Sequence, residues 1–359
     1  MPGIASYGAY VPLFRLSRAE IARAWGAAPP PGERAVANYD EDSLTMAVAA
    51  ARDCLAGVDR GAIQGLYFAS TTAPYKEKQT AATIASVLAL PAEVITMDFS
   101  GSLRCGTNAL KAALDAVAAG SANKVLVVAA EMRLGYPAGA AEMNLGDGAA
   151  ALLISADDLV AEVEHFDSTY YEIQDTWRSD QDTFVRGAED RFAMDEGYLR
   201  VMRGAISDAL KKHGLAPSDV AQVALNAPNA RQLKSVTQKL GFDDKTQVRD
   251  VLHSAVGDTG CAAALMSLVA ALERAAAGEK LLLACYGNGC DVAVLRSTER
   301  IGSLRDRRGV RRHLDSKLAM HNYEQYLRLR GLLPLQPPAR PPLEIKTPSP
   351  AAQWREVAW

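Results

Sequence analysis

Cys105 is the residue whose neighbours most favour nucleophilic chemistry. It follows Arg104, precedes Gly106 and opens a segment, CGTNALKAALDAVAAG, with helical periodicity. A helix N-terminus beside a guanidinium favours the thiolate, and a glycine lets a substrate come close to the backbone. Such a thiolate attacks a carbonyl carbon and carries the group as a covalent intermediate. A thiol in an apolar run can equally be a small packed residue, so the surroundings must decide. The other cysteines stand at 54, 261, 285 and 290. An odd number in a long chain fits free thiols rather than a disulfide framework. No C-x-x-C pair exists, and Cys285 with Cys290 has a poor spacing without histidine partners, so no metal site is expected.

The elements that must position Cys105 alternate. Residues 3 to 11 read as a strand and Asp40 to Leu55 as a helix capped by Asp42 or Ser43. A strand from Gly65, a helix around TAATIASVLAL, a strand near VITMDF, the helix from Cys105 to Ala119 and the strand KVLVVAAE follow. This order implies an α/β protein with a mainly parallel sheet covered by helices. The segment 105 to 120 and the following strand look like 262 to 278 and EKLLLAC, both Ala/Leu-rich helices ending at a glycine before a lysine-led strand. Registering Val125 with Leu281 places Ala129 opposite Cys285. SGSLRC and GDTGC precede the two helices, so two glycine-flanked helix N-termini could meet in one pocket if the halves are related by a pseudo-twofold axis.

We place the halves at 1–165 and 166–300, with 166 to 200, polar and aromatic, as a lid or substrate loop at the start of the second. A C-terminal extension, 301–359, begins with the basic cluster RDRRGVRRH, continues through a short helix in KLAMHNYEQYLRLRGLL and ends proline-rich. The 359 residues are 49% apolar, enough for a sizeable core, and 39 Lys+Arg against 42 Asp+Glu give a charge of -3. No global field therefore favours nucleic acid or acidic membranes. No apolar stretch approaches the roughly 20 residues that cross a bilayer. Arg15, Arg18 and Glu20 occupy the place of a signal peptide's apolar segment, so a cytoplasmic location is expected.

Four segments resemble the thiolase superfamily, which includes hydroxymethylglutaryl-CoA synthases, ketoacyl synthases of the third type and thiolases. They are GIASYGAYVP, the Cys105 helix, NLGDGAAALL at 144 to 153 and YEQYLRLRGLL. The first and last look most like the synthase branch that works beside a small zinc-ribbon and OB-fold protein. The resemblance implies a thiolase fold: two pseudo-symmetric βαβαβ halves with central helices between the sheets, five layers in the order αβαβα. It also implies a homodimer and that small partner protein.

The catalytic positions depart from the synthases. Thr71, in STTAPY, stands where they carry the Glu of S-E-S-x-P-Y; Asn226, in LNAPNAR, stands at the His of H-Q-x-N; and Asp258 replaces the Asn of G-N-T. Thiolases carry Asn in N-E-A-F, which Asn226 matches. Their H-P-x-G-x-S-G is similar to HSAVGDTG at 253 to 260, with one extra residue, and their C-x-G-x-G matches Cys285, Gly287 and Gly289. The order Cys, Asn, His, Cys is therefore thiolase-like.

That resemblance implies CoA-dependent cleavage of a 3-oxoacyl-CoA through acyl-Cys105, with CoA as co-substrate and no bound cofactor. His253 would deprotonate Cys105, and Cys285 would protonate the departing enolate. The N–H groups of Cys105 and Gly287 would form one oxyanion hole, His253 and a water held by Asn226 the other. Asp258 is the alternative acid/base. A synthase-like body with thiolase-like positions is similar to the large subunits of 2-benzoylsuccinyl-CoA thiolases, which yield benzoyl-CoA and succinyl-CoA. Two alternatives stand beside this reading: a Claisen-condensing enzyme resembling hydroxymethylglutaryl-CoA synthase, with Thr71 or Asp258 replacing the usual groups, and a noncatalytic scaffold subunit. In the tail, 333 to 359, apolar residues such as Trp354 and Trp359 among prolines would dock the small partner.

Overall fold

A computed structural model describes residues 1–248 and 252–336. In chain order its main strands are β1 (Gly3–Tyr10), β2 (Gly65–Ala69), β3 (Ile95–Phe99), β4 (Lys124–Glu131), β5 (Gly148–Ser155), β6 (Ala161–Tyr170), β7 (Gln222–Leu225), β8 (Lys280–Tyr286) and β9 (Gly289–Ser297). They follow one another in space as β7-β8-β9-β6-β1-β5-β4-β2-β3. The middle strands are apolar along their whole length: every residue of β5 is buried, as is every residue of β4 after Lys124. Continuous apolar runs of this kind belong to strands covered on both faces.

The junction between β1 and β6 is a seam of two residue pairs, Gly3 with Glu162 and Ile4 with Ala161. Outward from it the two sides repeat. On one side β1 pairs β5 and β5 pairs β4 antiparallel, while β4 pairs β2 parallel. On the other, β6 pairs β9 and β9 pairs β8 antiparallel, while β8 pairs β7 parallel. Val125 lies opposite the first residue of β2, and Leu281 opposite the first residue of β7. The sequence register of Val125 with Leu281 thus corresponds to equivalent places in the two halves.

Six helices complete the layers: α1 (Ser43–Cys54), α2 (Thr80–Val87), α3 (Cys105–Ala118), α4 (Arg200–Lys212), α5 (Ala230–Lys239) and α6 (Ala263–Leu272). Asp42 caps α1 in a reciprocal box with Thr45. Helix α4 buries one stripe, Val201, Met202, Ile206, Ala209 and Leu210. Helix α6 is buried on all sides except Ser267, as its unbroken apolar sequence requires. Helices α3 and α6 share one core with the strands of both halves. Helices α1 and α2 pack with the outer face of the first half, and α4 and α5 with that of the second. The result is the five-layered αβαβα arrangement.

Two sequence-based boundaries shift. Strand β6 runs through the division placed at 165/166, so the break between halves precedes Ala161 and the lid-like segment starts only after Tyr170. Helix α6 stops at Leu272 rather than at Gly278, because the chain turns there and the Gly278 amide donates to Ser297 O at 3.0 Å. The extension then returns to the first half. Arg307 donates to Asp53 O at 2.9 Å, and the Asp53 carboxylate accepts from the amides of Arg308 and Gly309. Leu318–Ala319 adds a short strand to Phe14–Ser17, which also pairs with Glu33–Val36. The helix expected near 323 is Tyr323–Leu329, capped by Asn322. Residues 337–359, which include most of the tail expected to dock a small partner, lie outside the described residues. Among the described residues no helix is long and apolar enough to cross a membrane.

The start of α3 is held by a buried carboxylate from the other half. Asp291, on β9, is 1% exposed. One oxygen accepts from Arg104 Nη1 at 2.9 Å and Ser168 Oγ at 2.6 Å; the other accepts from Thr107 Oγ1 at 2.6 Å and Asn108 Nδ2 at 3.0 Å. Gly106 lets the second half come close to α3: a Cβ there would stand 2.5 Å from Cys261 O. An uncompensated buried charge is costly, so Asp291→Asn, which leaves Arg104 without its carboxylate, should lose about 3 kcal/mol of unfolding free energy. Urea denaturation followed by circular dichroism checks this; a loss below about 1 kcal/mol would show that the hub does not hold the halves together.

Candidate active site

Cys105 is the first residue of α3 and is 1% exposed. Ser102 and Leu103, shortly before it in the chain, line a cleft of about 1130 Å³, of which Cys105 itself is not a wall residue. Thr71, Arg133, Asn226, Asp258 and Gly287 line the same cleft, so it draws on both halves. The segment after Tyr170 borders it: Thr176–Trp177 pairs with Arg186–Gly187, Arg178 donates to Thr71 O, and Asp175 accepts from Tyr286 Oη.

Three buried thiols, Cys105, Cys261 and Cys285, lie near one another, and none of them lines the cleft. Cys261 lies within hydrogen-bonding reach of Cys105, and burial first, then that neighbour, pushes its thiol well above the ordinary range. Cys285 is fully buried, and its Sγ donates to Leu103 O at 3.5 Å. Burial, reinforced by the Asp291 carboxylate, holds its thiol strongly raised and therefore neutral. Cys290, the last residue before Asp291, is also raised by burial. No group of His, Cys, Asp and Glu among the described residues is arranged to hold a metal ion.

Asn226 and His253 are engaged with backbone partners. The Asn226 carboxamide is matched to the Tyr286 backbone at both ends: Nδ2 donates to Tyr286 O at 2.9 Å, and Oδ1 accepts from Tyr286 N at 2.7 Å. His253 Nε2 lies 2.8 Å from Ala227 O, which makes that nitrogen the donor. The amides expected to form an oxyanion hole are engaged as well. Cys105 N–H donates to Ser102 O at 3.0 Å, and Gly287 N–H donates to Gly289 O at 3.0 Å. Gly287 instead lets the β8–β9 turn close onto the residues before α3. A Cβ there would stand 2.7 Å from Arg104 N, and its carbonyl accepts from Ser102 Oγ and Arg104 Nε.

The acidic groups of the site are partly ones that the sequence reading passed over. Asp258 accepts from Arg133 Nη2 at 2.7 Å, with its side chain 12% exposed. Glu131, fully buried at the end of β4, accepts from Thr71 Oγ1 at 3.0 Å, Thr72 Oγ1 at 2.6 Å and the Thr71 amide at 3.2 Å. Its Oε2 also accepts from the Cys261 amide at 3.4 Å. Burial alone would lower the Arg133 guanidinium, yet Asp258 and Glu131 outweigh it and keep it raised. One signal for Glu131 was available: a charged residue ends an otherwise apolar strand, KVLVVAAE, at the end that faces the nucleophile. Asp291 follows Cys290 in the same way.

Comparisons with known proteins place this arrangement. Residues 97–170 match the family model for 3-oxoacyl-[acyl-carrier-protein (ACP)] synthase III, and residues 210–296 match its C-terminal model. The hydroxymethylglutaryl-CoA synthase of Methanocella arvoryzae is 30% identical over 339 residues, covering 92% of this chain and 97% of that protein. The enzyme of the same name from Pyrococcus furiosus is 30% identical over 293 residues, 80% of this chain and 83% of the relative. The fold is shared with MvaS in complex with 3-hydroxy-3-methylglutaryl coenzyme A, at TM-score 0.82 and 22% identity over 95% of this chain and 94% of that one. It is also shared with 3-oxoacyl-[acyl-carrier-protein] synthase III of Aquifex aeolicus, at TM-score 0.73 and 20% identity over 82% and 100%. The thiolase-like fold expected from the sequence is therefore the fold of this chain. The expected reaction, thiolytic cleavage of a 3-oxoacyl-CoA such as 2-benzoylsuccinyl-CoA, is overturned, because the relatives matched over nearly their whole length are synthases. The chain belongs to the hydroxymethylglutaryl-CoA synthase family.

Proposed function

We propose that this protein joins two acyl thioesters by a Claisen-type condensation, with CoA thioesters as substrates and Cys105 as the acyl carrier. The observation that carries the reading is the place of Cys105. In a chain that spans 97% of a hydroxymethylglutaryl-CoA synthase, it opens a central helix two residues after Leu103, a wall residue of a cleft shared by both halves. An acyl-CoA transfers its acyl group to the Cys105 sulfur and leaves as CoA thiol. A C–C bond then forms between the α-carbon of one acyl unit and the carbonyl of the other, which requires an α-proton to leave and oxygen charge to be held. Cys285, kept neutral by burial, has a proton available against the first turn of α3. Asp258 is a carboxylate of the cleft with its side chain 12% exposed, and Arg133 holds its position. The match to a protein solved with 3-hydroxy-3-methylglutaryl coenzyme A supports a CoA-bearing substrate.

The working unit in this reading is a symmetric dimer. Strand β3 is one edge of the sheet, and Ile95 and Met97 on it are 44% and 42% exposed; Val87, at the end of α2, is 58% exposed. An edge with unpaired backbone groups and apolar side chains is a template for a second strand, and a second copy of β3 would satisfy it.

Two outcomes are expected. Incubated with acetyl-CoA, the wild-type chain should gain the mass of one acetyl group on Cys105, and Cys105→Ser should gain none and lose condensation by at least about 10³-fold. Intact-protein mass spectrometry and product chromatography read both; an acylated Cys105→Ser protein would move the carrier elsewhere. Met97→Asp should shift the dimer to monomer in light scattering, whereas an unchanged dimer would place the interface away from β3.

A further inference from the structure

We propose that Glu131 holds the proton removed during condensation and acts through the hydroxyl of Thr71, which faces the substrate cleft. The inference rests on the condensing reading and assigns a positioning role to a residue outside the expected set. Thr71 stands where the synthases carry a glutamate, so the cleft wall has a hydroxyl in place of a carboxylate. A carboxylate is nevertheless present one hydrogen bond behind it: Thr71 Oγ1 donates to Glu131 Oε2 at 3.0 Å. Thr71 is partly exposed and lines the cleft, while Glu131 is fully buried and cannot touch a substrate.

The surroundings hold this pair in one orientation. Thr72 Oγ1 donates to the second Glu131 oxygen at 2.6 Å and itself accepts from the Met132 amide at 3.0 Å. The Thr71 amide donates to the same carboxylate, which leaves the Thr71 hydroxyl little freedom to turn. The Cys261 amide, 3.4 Å from Oε2, connects the carboxylate to the thiol beside Cys105. Cys261 thus neighbours both the proton acceptor and the acyl carrier.

The step balances within these groups. As the α-carbon C–H bond breaks, its proton passes to Thr71 Oγ1 and the hydroxyl's own proton passes to Glu131 Oε2. The products are an enolate and a neutral Glu131, so the negative charge moves from the carboxylate to the substrate. Once the C–C bond has formed, the proton returns along the same path to the atom that then bears the charge. Thr71 ends the cycle as a neutral hydroxyl.

The test uses the full-length protein in D2O with acetyl-CoA, reading two quantities: deuterium entering the acetyl methyl group and acetyl mass on Cys105. Glu131→Gln keeps the size and an acceptor for Thr71 but cannot take a proton, and Thr71→Val removes the hydroxyl without touching Glu131. Both should lower exchange by about 10²-fold or more while acylation of Cys105 stays within about threefold of wild type. Thr71→Glu added to Glu131→Gln should restore at least about tenfold of the lost exchange, which a purely structural role of Glu131 would not allow. If Glu131→Gln does not fold, Thr71→Val decides, because its side chain is at the cleft wall. Exchange at wild-type level in Thr71→Val overturns the relay and leaves acylation and condensation standing. Acylation without any wild-type exchange also overturns it, and absence of acylation overturns the condensing reading and the relay together.

Discussion

A carboxylate buried between two halves of a protein must be satisfied on both of its oxygens, and Asp291 meets that demand only when α3 starts where it does. Its four donors come from two separate places in the fold: Arg104, Thr107 and Asn108 around the start of α3, and Ser168 on β6. Losing any one of them would leave part of a buried charge exposed to an apolar surrounding. The bonds therefore act on both levels of structure. They fasten the first half to the second, and they set the height of Cys105 relative to the β8–β9 turn. Gly106 and Gly287 complete the constraint by admitting backbone where a side chain would collide.

The positions at which this chain departs from the synthases are re-partnered inside the molecule. Asn226 is bound at both ends to the Tyr286 backbone and so joins the end of β7 to the end of β8. Asp258 is paired with Arg133, and Thr71 with Glu131. Each replacement keeps a polar group at the cleft while changing what it can deliver. Asn226 cannot take a proton as a histidine would, and Thr71 reaches a carboxylate only through a hydrogen bond.

This also explains how a correct ordering of motifs led to the wrong reaction. Cys105, Asn226, His253 and Cys285 do occur in thiolase order along the chain. Asn226 and His253, however, are turned toward the Tyr286 backbone and the Ala227 carbonyl. A motif records residue types along the chain and carries no information on which partner takes each hydrogen bond. Near-complete alignment with synthases weighs more, because it constrains the whole core rather than four positions.

Much of the architecture was legible in residue order. The apolar runs of β4 and β5, the capped α1 and the matching Ala-rich segments that became α3 and α6 all follow from periodicity, capping and internal similarity, which are local properties of the chain. Cys105 was legible for the same reason, since Arg104 and Gly106 are its chain neighbours. The partners of Glu131, Thr72, Arg133 and Asp291 were not, because they are reached by contacts across 59 to 187 positions of sequence. The seam at β1 and β6, the turn that ends α6 and the closing of the extension onto Asp53 likewise depend on surfaces that exist only after the layers pack. Local pattern sufficed to determine the elements and the nucleophile; the partners of each buried polar group were decided by tertiary packing, since burial leaves such a group only the donors and acceptors that folding brings to it.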